Sequence, residues 1–327
     1  MKTQWISSGS FLALFLVLSR NSSLVSAQPF DYPTANLSTT WTNTESAPHS
    51  VTFSDGSTVR AILLRGSFGP KFACGFYCNG TCTTSYLLAV FIVQTNSGSG
   101  IVQPSIGFPQ VVWSANRDRP VGLGASLNLN PSGDLVLRDA DGSHVWSTKT
   151  AGKSVAGMNI TDAGNLVLFD IQNKIVWQSF DHPTDSLVPG QKLFEGHHRR
   201  LIASVSSNNW TKGDLYSLQV TSRGLFGYLE SKPHHHRRVY YKYLVNGTAT
   251  SKDIMSYVRF LNGSLALFIH SAEPSRPDGL ITLPQASSAQ YMKLMPDGHL
   301  MVLEWQSGWR VVADLFGVPG RSAHGGN

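Results

Sequence analysis

Cys74, Cys78 and Cys82 are the three cysteines of the chain, spaced four residues apart in CGFYCNGTC. Thiols so placed suit either a metal centre or a disulfide. Zinc takes deprotonated ligands, usually four of them. Three cysteines without a nearby histidine read against it, and no metal site is expected. On one straight strand Cys74 and Cys78 would lie about 13 Å apart at roughly 3.3 Å per residue, too far to bridge. Asn79-Gly80 is a turn signal. A turn there brings Cys78 opposite Cys82, whereas a wider hairpin brings Cys74 opposite it; one thiol is left over either way.

The other concentrations of reactive side chains are two basic runs, His197-His198-Arg199-Arg200 and His234-His235-His236-Arg237-Arg238. Neighbouring histidines on a strand point to opposite faces, so only alternate ones can share a ligand. Solvated loops that gain charge in an acidic extracellular space are the simpler reading. No catalytic constellation emerges. The chain has no G-x-S-x-G elbow, no H-E-x-x-H, and no kinase H-R-D or D-F-G set. Nothing singles out a pair of carboxylates for glycoside chemistry. The chain is therefore read as a non-enzyme that works without a cofactor.

The elements that must carry these groups follow from composition. Only 14% of the 327 residues are charged while 41% are hydrophobic, with 30 glycines and 16 prolines. An average domain holds roughly 25% charged residues. Frequent punctuation and few charges exclude a coiled coil or helical bundle, and the apolar content suffices for a core. The length suits about two domains. Lys2, the apolar run Phe11 to Leu18 and Val25-Ser26-Ala27 read as a secretory signal over residues 1–27. The apolar run is far short of the roughly 20 residues of a membrane span. A secreted protein of the apoplast or cell wall is expected, with no membrane span and no nucleic-acid partner, since the net charge of +6 is mild. Six Asn-x-Ser/Thr triplets follow the signal, at Asn36, Asn79, Asn159, Asn209, Asn246 and Asn262, and are expected to be glycosylated and near the surface.

Short apolar alternations bounded by Gly, Asp, Asn and Pro run throughout. Leu127-Asn128-Leu129, Leu135-Val136-Leu137, Leu166-Val167-Leu168 and Leu265-Ala266-Leu267 read as short strands, and no stretch holds a helical period for three turns. The fold is expected to be all-β. PSGDLVLRDADGSHVW and DAGNLVLFDIQNKIVW match at an offset of 31 residues, and Val112-Trp113 precedes Trp146 by 33. Val-Trp thus recurs three times at nearly even spacing. Such repeats cannot cover their apolar faces alone. Three of them closing around one axis would bury Trp113, Trp146 and Trp177 at the centre, as core rather than as ligand platforms.

Val111-Val112-Trp113-Ser114-Ala115-Asn116-Arg117-Asp118, the Gly-x-Leu-Val-Leu repeats, and Ile175-Val176-Trp177-Gln178-Ser179-Phe180-Asp181-His182-Pro183-Thr184-Asp185 resemble the bulb-type (monocot mannose-binding) lectin domain of plant G-type lectin S-receptor-like kinases. The resemblance spans about residues 45–190. It implies a β-prism II, in which three four-stranded antiparallel sheets surround a pseudo-threefold axis. Trp210 to Leu218, Gly224 to Tyr228 and Asp297 to Trp305 are similar to the second lectin-like domain of those receptors. The expected organisation is a signal over 1–27, an N-terminal segment over 28–44, tandem lectin domains over 45–190 and 191–316, and a disordered tail over 317–327. The chain thus looks like an ectodomain truncated before the EGF/PAN, membrane and kinase regions.

In that family a strand motif Gln-x-Asp-x-Asn-x-Val-x-Tyr holds mannose. Strand alternation puts its five side chains on one face, where amide, carboxylate and hydroxyl groups meet sugar hydroxyls. The matching positions here are Asn130, Ser132, Asp134, Val136 and Arg138; then Thr161, Ala163, Asn165, Val167 and Phe169; then Met295, Asp297, His299, Met301 and Leu303. Asn130, Ser132, Asp134, Val136, Asn165, Val167 and Asp297 are the candidate sugar-binding residues. The match is poor, so two functions stay in view. One is recognition of a glycan or glycoprotein. The other is a protein–protein module, docking another receptor ectodomain, whose sugar sites have degenerated. An enzyme of cell-wall carbohydrate ranks well behind both. The resemblance also implies that dimers can form by strand exchange.

Overall fold

The computed structural model describes residues 32–317 except 67, 81–84, 98–99, 103–106, 208, 232–235 and 247–252. The expected signal peptide, Cys82, His234, His235 and all but Gly317 of the expected tail lie outside the described residues.

The fold is all-β. Helix among the described residues is confined to one 3-10 turn, Ser179–Asp181. The strands, in chain order, are β1 (Thr34–Asn36), β2 (Thr39–Thr42), β3 (Ser50–Thr52), β4 (Thr58–Leu64), β5 (Gly69–Cys78), β6 (Leu87–Thr95), β7 (Gln110–Ser114), β8 (Ser126–Leu129), β9 (Leu135–Arg138), β10 (His144–Ser147), β11 (Val155–Ile160), β12 (Leu166–Asp170) and β13 (Ile175–Gln178). After the 3-10 turn come β14 (Ser186–Leu187), β15 (Lys192–Phe194), β16 (Leu201–Ser204), β17 (Lys212–Thr221), β18 (Gly224–Ser231), β19 (His236–Leu244), β20 (Tyr257–Leu261), β21 (Ser264–Phe268), β22 (Gly279–Thr282), β23 (Gln290–Leu294), β24 (Leu300–Trp305) and β25 (Trp309–Asp314).

These strands form six antiparallel sheets in two sets of three. The first set holds β3-β4-β5-β6-β7, β10-β9-β8-β2 and β1-β11-β12-β13; the second holds β16-β17-β18-β19, β15-β20-β21-β22 and β14-β23-β24-β25. Connectivity is the same in both. The first strand of each set is added to its last sheet, the second strand to its middle sheet, and the remaining sheet is built from consecutive strands. The segment 28–44, read from sequence as standing ahead of the first domain, therefore supplies edge strands to two of its sheets: β1 pairs with β11 and β2 with β8. The sets divide between Gln178 and Ser186, ahead of the expected boundary at 190.

Alternation explains which side of each sheet faces inward. In β8 and β9, Leu127, Leu129, Leu135 and Leu137 are fully buried while Ser126, Asn128 and Val136 are half-buried on the other face. Strand β6 departs from this rule. Its run LLAVFIV is buried throughout because both faces are covered: Leu88, Val90 and Ile92 join the interior of the first set, and Leu87, Ala89, Phe91 and Val93 join a second layer closed by Tyr32 and Trp210. A strand covered on both faces reads as continuous apolar sequence. The interior of the second set is a separate cluster around Leu218, Phe260, Leu265 and Leu300.

Cys74 lies in the first interior, where β5 pairs it with Val90. It is a free thiol, and burial pushes its pKa up to about 12. The Cys74 thiol is thus sealed from solvent and from reaction.

The two sets meet at a buried ionic knot. Arg117 donates to the carbonyls of Trp210 and Ile202 at 3.0 and 2.9 Å. Asp185 lies 3.6 Å from both Arg117 Nη2 and Lys293 Nζ, and Ser186 donates to its Oδ1 at 2.9 Å. Tyr77 of β5 stacks on Trp210 at 4.8 Å, and Lys293 Nζ sits over the same Trp210 ring, 4.9 Å from its centroid. Burial alone would raise the pKa of Asp185; Lys293 and Arg117, with the Ser186 hydroxyl, outweigh it and hold the carboxyl below its usual range. A carboxyl depressed in the folded state contributes stability above its unfolded pKa of about 3.9 and loses it as pH falls through the folded value. Asp185→Asn is expected to lose about 3–5 kcal/mol at pH 7, because two buried cations lose their counter-charge. Urea unfolding at pH 7 and at pH 3 should show the gap from wild type narrowing in acid.

Candidate functional site

Trp113, Trp146 and Trp177 come from β7, β10 and β13, one from each sheet of the first set. Their ring centroids lie 6.0, 5.9 and 5.8 Å apart and their planes cross at 69, 69 and 73°, so each indole meets the other two edge to face. Trp113 is 5% exposed and the other two are half-buried against the same interior. All three pack against the first interior. Trp113 Nε1 donates to the His182 carbonyl at 2.8 Å, and the His182 ring stacks on Trp177 at 5.3 Å. Burial pushes the His182 imidazole below its ordinary range, so the ring over Trp177 favours its neutral form. Asn116, beside this cluster, accepts from Leu88 N and donates to the carbonyls of Tyr86 and Arg119. The Ser-Ala-Asn-Arg-Asp run thus brackets one sheet and ties the two sets together.

The three copies of the sugar motif do not lie along strands as alternation suggested. Asn130 to Asp134 form the turn between β8 and β9, with Asn130 N bonded to the Asp134 carbonyl and Gly133 N to that of Asn130. The same pair of bonds closes Thr161–Asn165 and Met295–His299. The glycine in each turn is obligatory twice over. Gly133, Gly164 and Gly298 hold φ of +85, +79 and +88°, and a Cβ on them would stand 2.9 Å from Val155, 2.5 Å from the Phe72 ring and 2.6 Å from the Tyr216 ring. Only the Val and terminal positions of each copy fall on a strand, so the five side chains do not share one face.

Within those turns most polar groups are engaged in local hydrogen bonds. Asn130 Oδ1 accepts from Ser132 Oγ and Asp134 N. Asp134 Oδ1 accepts from Thr148 Oγ1 at 2.8 Å and Thr150 N at 3.0 Å. Asn165 is buried and donates to Gln178 Oε1 while its oxygen accepts from Ser179 Oγ and Phe180 N. Val167 is buried too, and the Phe169 ring folds over Gly157, 2.9 Å from where a Cβ would be. Asp297 is exposed, but its Oδ1 accepts from His299 N, and His299 Nδ1 bonds Asp314 at 2.7 Å.

One outward face remains polar and open. Cα pairing sets Thr40, Asn128, Val136 and Ser147 in a row across β2, β8, β9 and β10, with Thr42, Ser126 and Arg138 in the next row. Asn128 Nδ2 donates to Thr40 Oγ1. Sequence reasoning singled out Val136 and missed Asn128 and Thr40; the polar residues inside SLNL and TTWT were the available signal. It also passed over Arg60, a charge inside the apolar strand TVRAILL.

The basic runs resolve into ion pairs. Glu230 accepts from Arg200 at 2.8 Å and lies 3.7 Å from Arg237, whose guanidinium stacks 3.5 Å from the Tyr228 ring. His197 and His198 meet edge to face. No group of three or more metal-ligating side chains occurs among the described residues. Five of the sequon asparagines (Asn36, Asn79, Asn209, Asn246 and Asn262) are exposed. Asn159 departs from the expectation: it is half-buried in β11, with its amide oxygen accepting from Arg65.

Residues 110–209 match the D-mannose binding lectin family. The chain carries a bulb-type lectin domain. The match starts at β7 and takes in the three-indole cluster and the first two turns. Around this lectin domain the chain is 50% identical over 117 residues to the epidermis-specific secreted glycoprotein EP1 of Daucus carota, covering 36% of this chain and 30% of that protein. It is 31% identical over 174 residues to a G-type lectin S-receptor-like serine/threonine-protein kinase of Arabidopsis thaliana, covering 53% of this chain and 18% of the kinase. The chain thus spans less than a third of each relative's length, and its likeness to the kinase is to the lectin region. A solved two-domain lectin, the fetuin-binding protein of Scilla campanulata, is similar at 14% identity and a TM-score of 0.25, over 79% of this chain and 93% of that one. The lectin assignment rests on this matched region, residues 110–209.

The glycine requirement is directly measurable. Gly164→Ala combines a left-handed backbone with a clash against Phe72, and is expected to cost about 2–4 kcal/mol in urea unfolding. An alanine variant as stable as wild type would show that the turn is not held as described.

Proposed function

We propose that the protein is a secreted, glycosylated recognition protein that holds a glycan or glycoprotein non-covalently on the outer face of the β10-β9-β8-β2 sheet. The observation that carries this reading is the open row Thr40–Asn128–Val136–Ser147, where hydroxyl and amide groups flank a half-buried valine. Sugar hydroxyls both donate and accept, and ring carbons pack on an apolar side chain. The lectin domain, the exposed sequons and the secreted glycoprotein among the relatives support it. On this reading the two sets of sheets are tandem lectin domains, the place of action is the apoplast or cell wall, and the chain is a soluble relative of lectin receptor ectodomains. The buried, free Cys74 supports a pairing of Cys78 with Cys82 across the Asn79-Gly80 turn.

The second reading, a protein–protein module, is favoured by one specific observation. Asn165 spends its amide internally and Phe169 lies over Gly157, so the second copy of the motif presents no polar groove.

Glycan-array binding competed by free mannose or another monosaccharide separates the two. Losing one neutral hydrogen bond weakens binding by about 0.5–1.5 kcal/mol. Asn128→Ala should therefore weaken the competed signal by roughly fivefold, and Val136→Glu should abolish it, with melting temperatures unchanged. A silent array together with a co-purifying receptor ectodomain would replace the first reading by the second.

A further inference from the structure

Strand β4 places a guanidinium where its neighbours are apolar. Arg60 is 5% exposed between Val59 and Ala61, both buried. Its Nη1 donates to the Asn43 side-chain oxygen at 2.5 Å, its guanidinium lies 4.7 Å from the Tyr86 ring centroid, and its Nε is buried with no hydrogen-bond partner. Asn43 is neutral, and the ion pairs of the described residues give Arg60 no carboxylate. A buried cation without a counter-charge is unfavourable. A core position filled this way serves stability poorly, since an apolar residue would fit the strand better.

The same arginine lines a cavity of about 440 Å³ between β2, the β2–β3 connection and β4. That volume lies in the range of about 300–1,000 Å³ usual for small-molecule sites. Thr42, Thr44 and Ser46 line its walls together with Trp41 and with His49, whose ring stacks on Tyr32. Thr42 and Ser46 are exposed, so the cavity opens to the surface there.

We propose that this cavity binds a carboxylated sugar, a hexuronate residue, whose carboxylate is the counter-charge that Arg60 lacks. A guanidinium presents planar donors that match a carboxylate. Threonine and serine hydroxyls donate and accept, as sugar hydroxyls require. Ile62, Phe76 and Trp41 among the lining residues supply apolar surface for the ring C–H groups. A single guanidinium with no second cation among the lining residues suits a monoanion better than a phosphate dianion. The site shares Thr40 and Thr42 with the outer face assigned above, but is centred on Arg60 and the β2–β3 connection. It adjoins that face at β2, but Val136 lies two strands away, so uronate binding survives Val136→Glu whether or not the outer face binds a neutral sugar.

The test is an NMR or calorimetric titration of the full-length secreted protein with galacturonic acid, its methyl ester, galactose and inorganic phosphate. The acid should bind saturably below about 20 mM, at least tenfold tighter than galactose, the ester or phosphate. Arg60→Met should erase the tenfold preference. Ser46→Trp, at the exposed mouth and away from the core, should block the acid without lowering the melting temperature, which keeps the test decisive even if the Arg60 variant fails to fold. Equal binding of acid and ester would overturn the proposal. So would phosphate binding as tight as the acid, undiminished binding in a folded Ser46→Trp variant, or no saturable change at all.

Discussion

Three antiparallel sheets, each apolar on one face, have to share a single interior, and in the first set the edge-to-face contact of Trp113, Trp146 and Trp177 is where they do so. Each indole can bury on the order of 150–250 Å², and an edge-to-face pair adds about 0.5–1.5 kcal/mol beyond its area. Because every ring touches both others, no sheet can leave without opening the remaining two. The indole N–H of Trp113 also needs an acceptor once buried. The His182 carbonyl supplies it, which fixes the 3-10 turn and lays the His182 ring on Trp177. From there the chain runs directly into Asp185 and the ionic knot that joins the second set. Among the described residues the second set shows no such indole cluster; its interior is leucines and valines with Phe260 and Met292, and Phe316 meets both Tyr240 and Tyr241.

The same constraint decides which polar groups remain for recognition. Short sheets need tight turns, and tight turns need their backbone groups satisfied. Asn130, Asp134 and Asn165 do that with side-chain oxygens that a sugar site would otherwise use. What stays outward is set by strand alternation instead, on the face of β2, β8 and β9. Recognition as proposed above therefore belongs to sheet faces and the cleft beside β2, more than to the turns.

Much of the architecture was legible in the sequence. Leu-Val-Leu alternations marked strands, glycine marked the turns, and the even Val-Trp spacing marked the interior. Three things were not legible, each for a physical reason. Strands β1 and β2 carry only three and four residues, too short to show a period, and are held by pairing partners over 80 residues away. The motif positions were read at strand spacing, but a left-handed glycine in each copy interrupts the strand, so residues before it lie on the turn. Asn159 fits a surface triplet, yet its place in β11 is fixed by pairing with Val167, which no local pattern encodes. Arg60 was visible as a charge in an apolar run, but only the cavity beside it gives that charge a meaning.

The claim that one indole cluster holds three sheets together is tested most directly by hydrogen exchange on Trp177→Leu. This account predicts that amides of β6, β9 and β12, one central strand from each sheet, lose protection together, while β21 and β24 of the second set keep theirs. Loss of protection confined to β12 and β13 would contradict it.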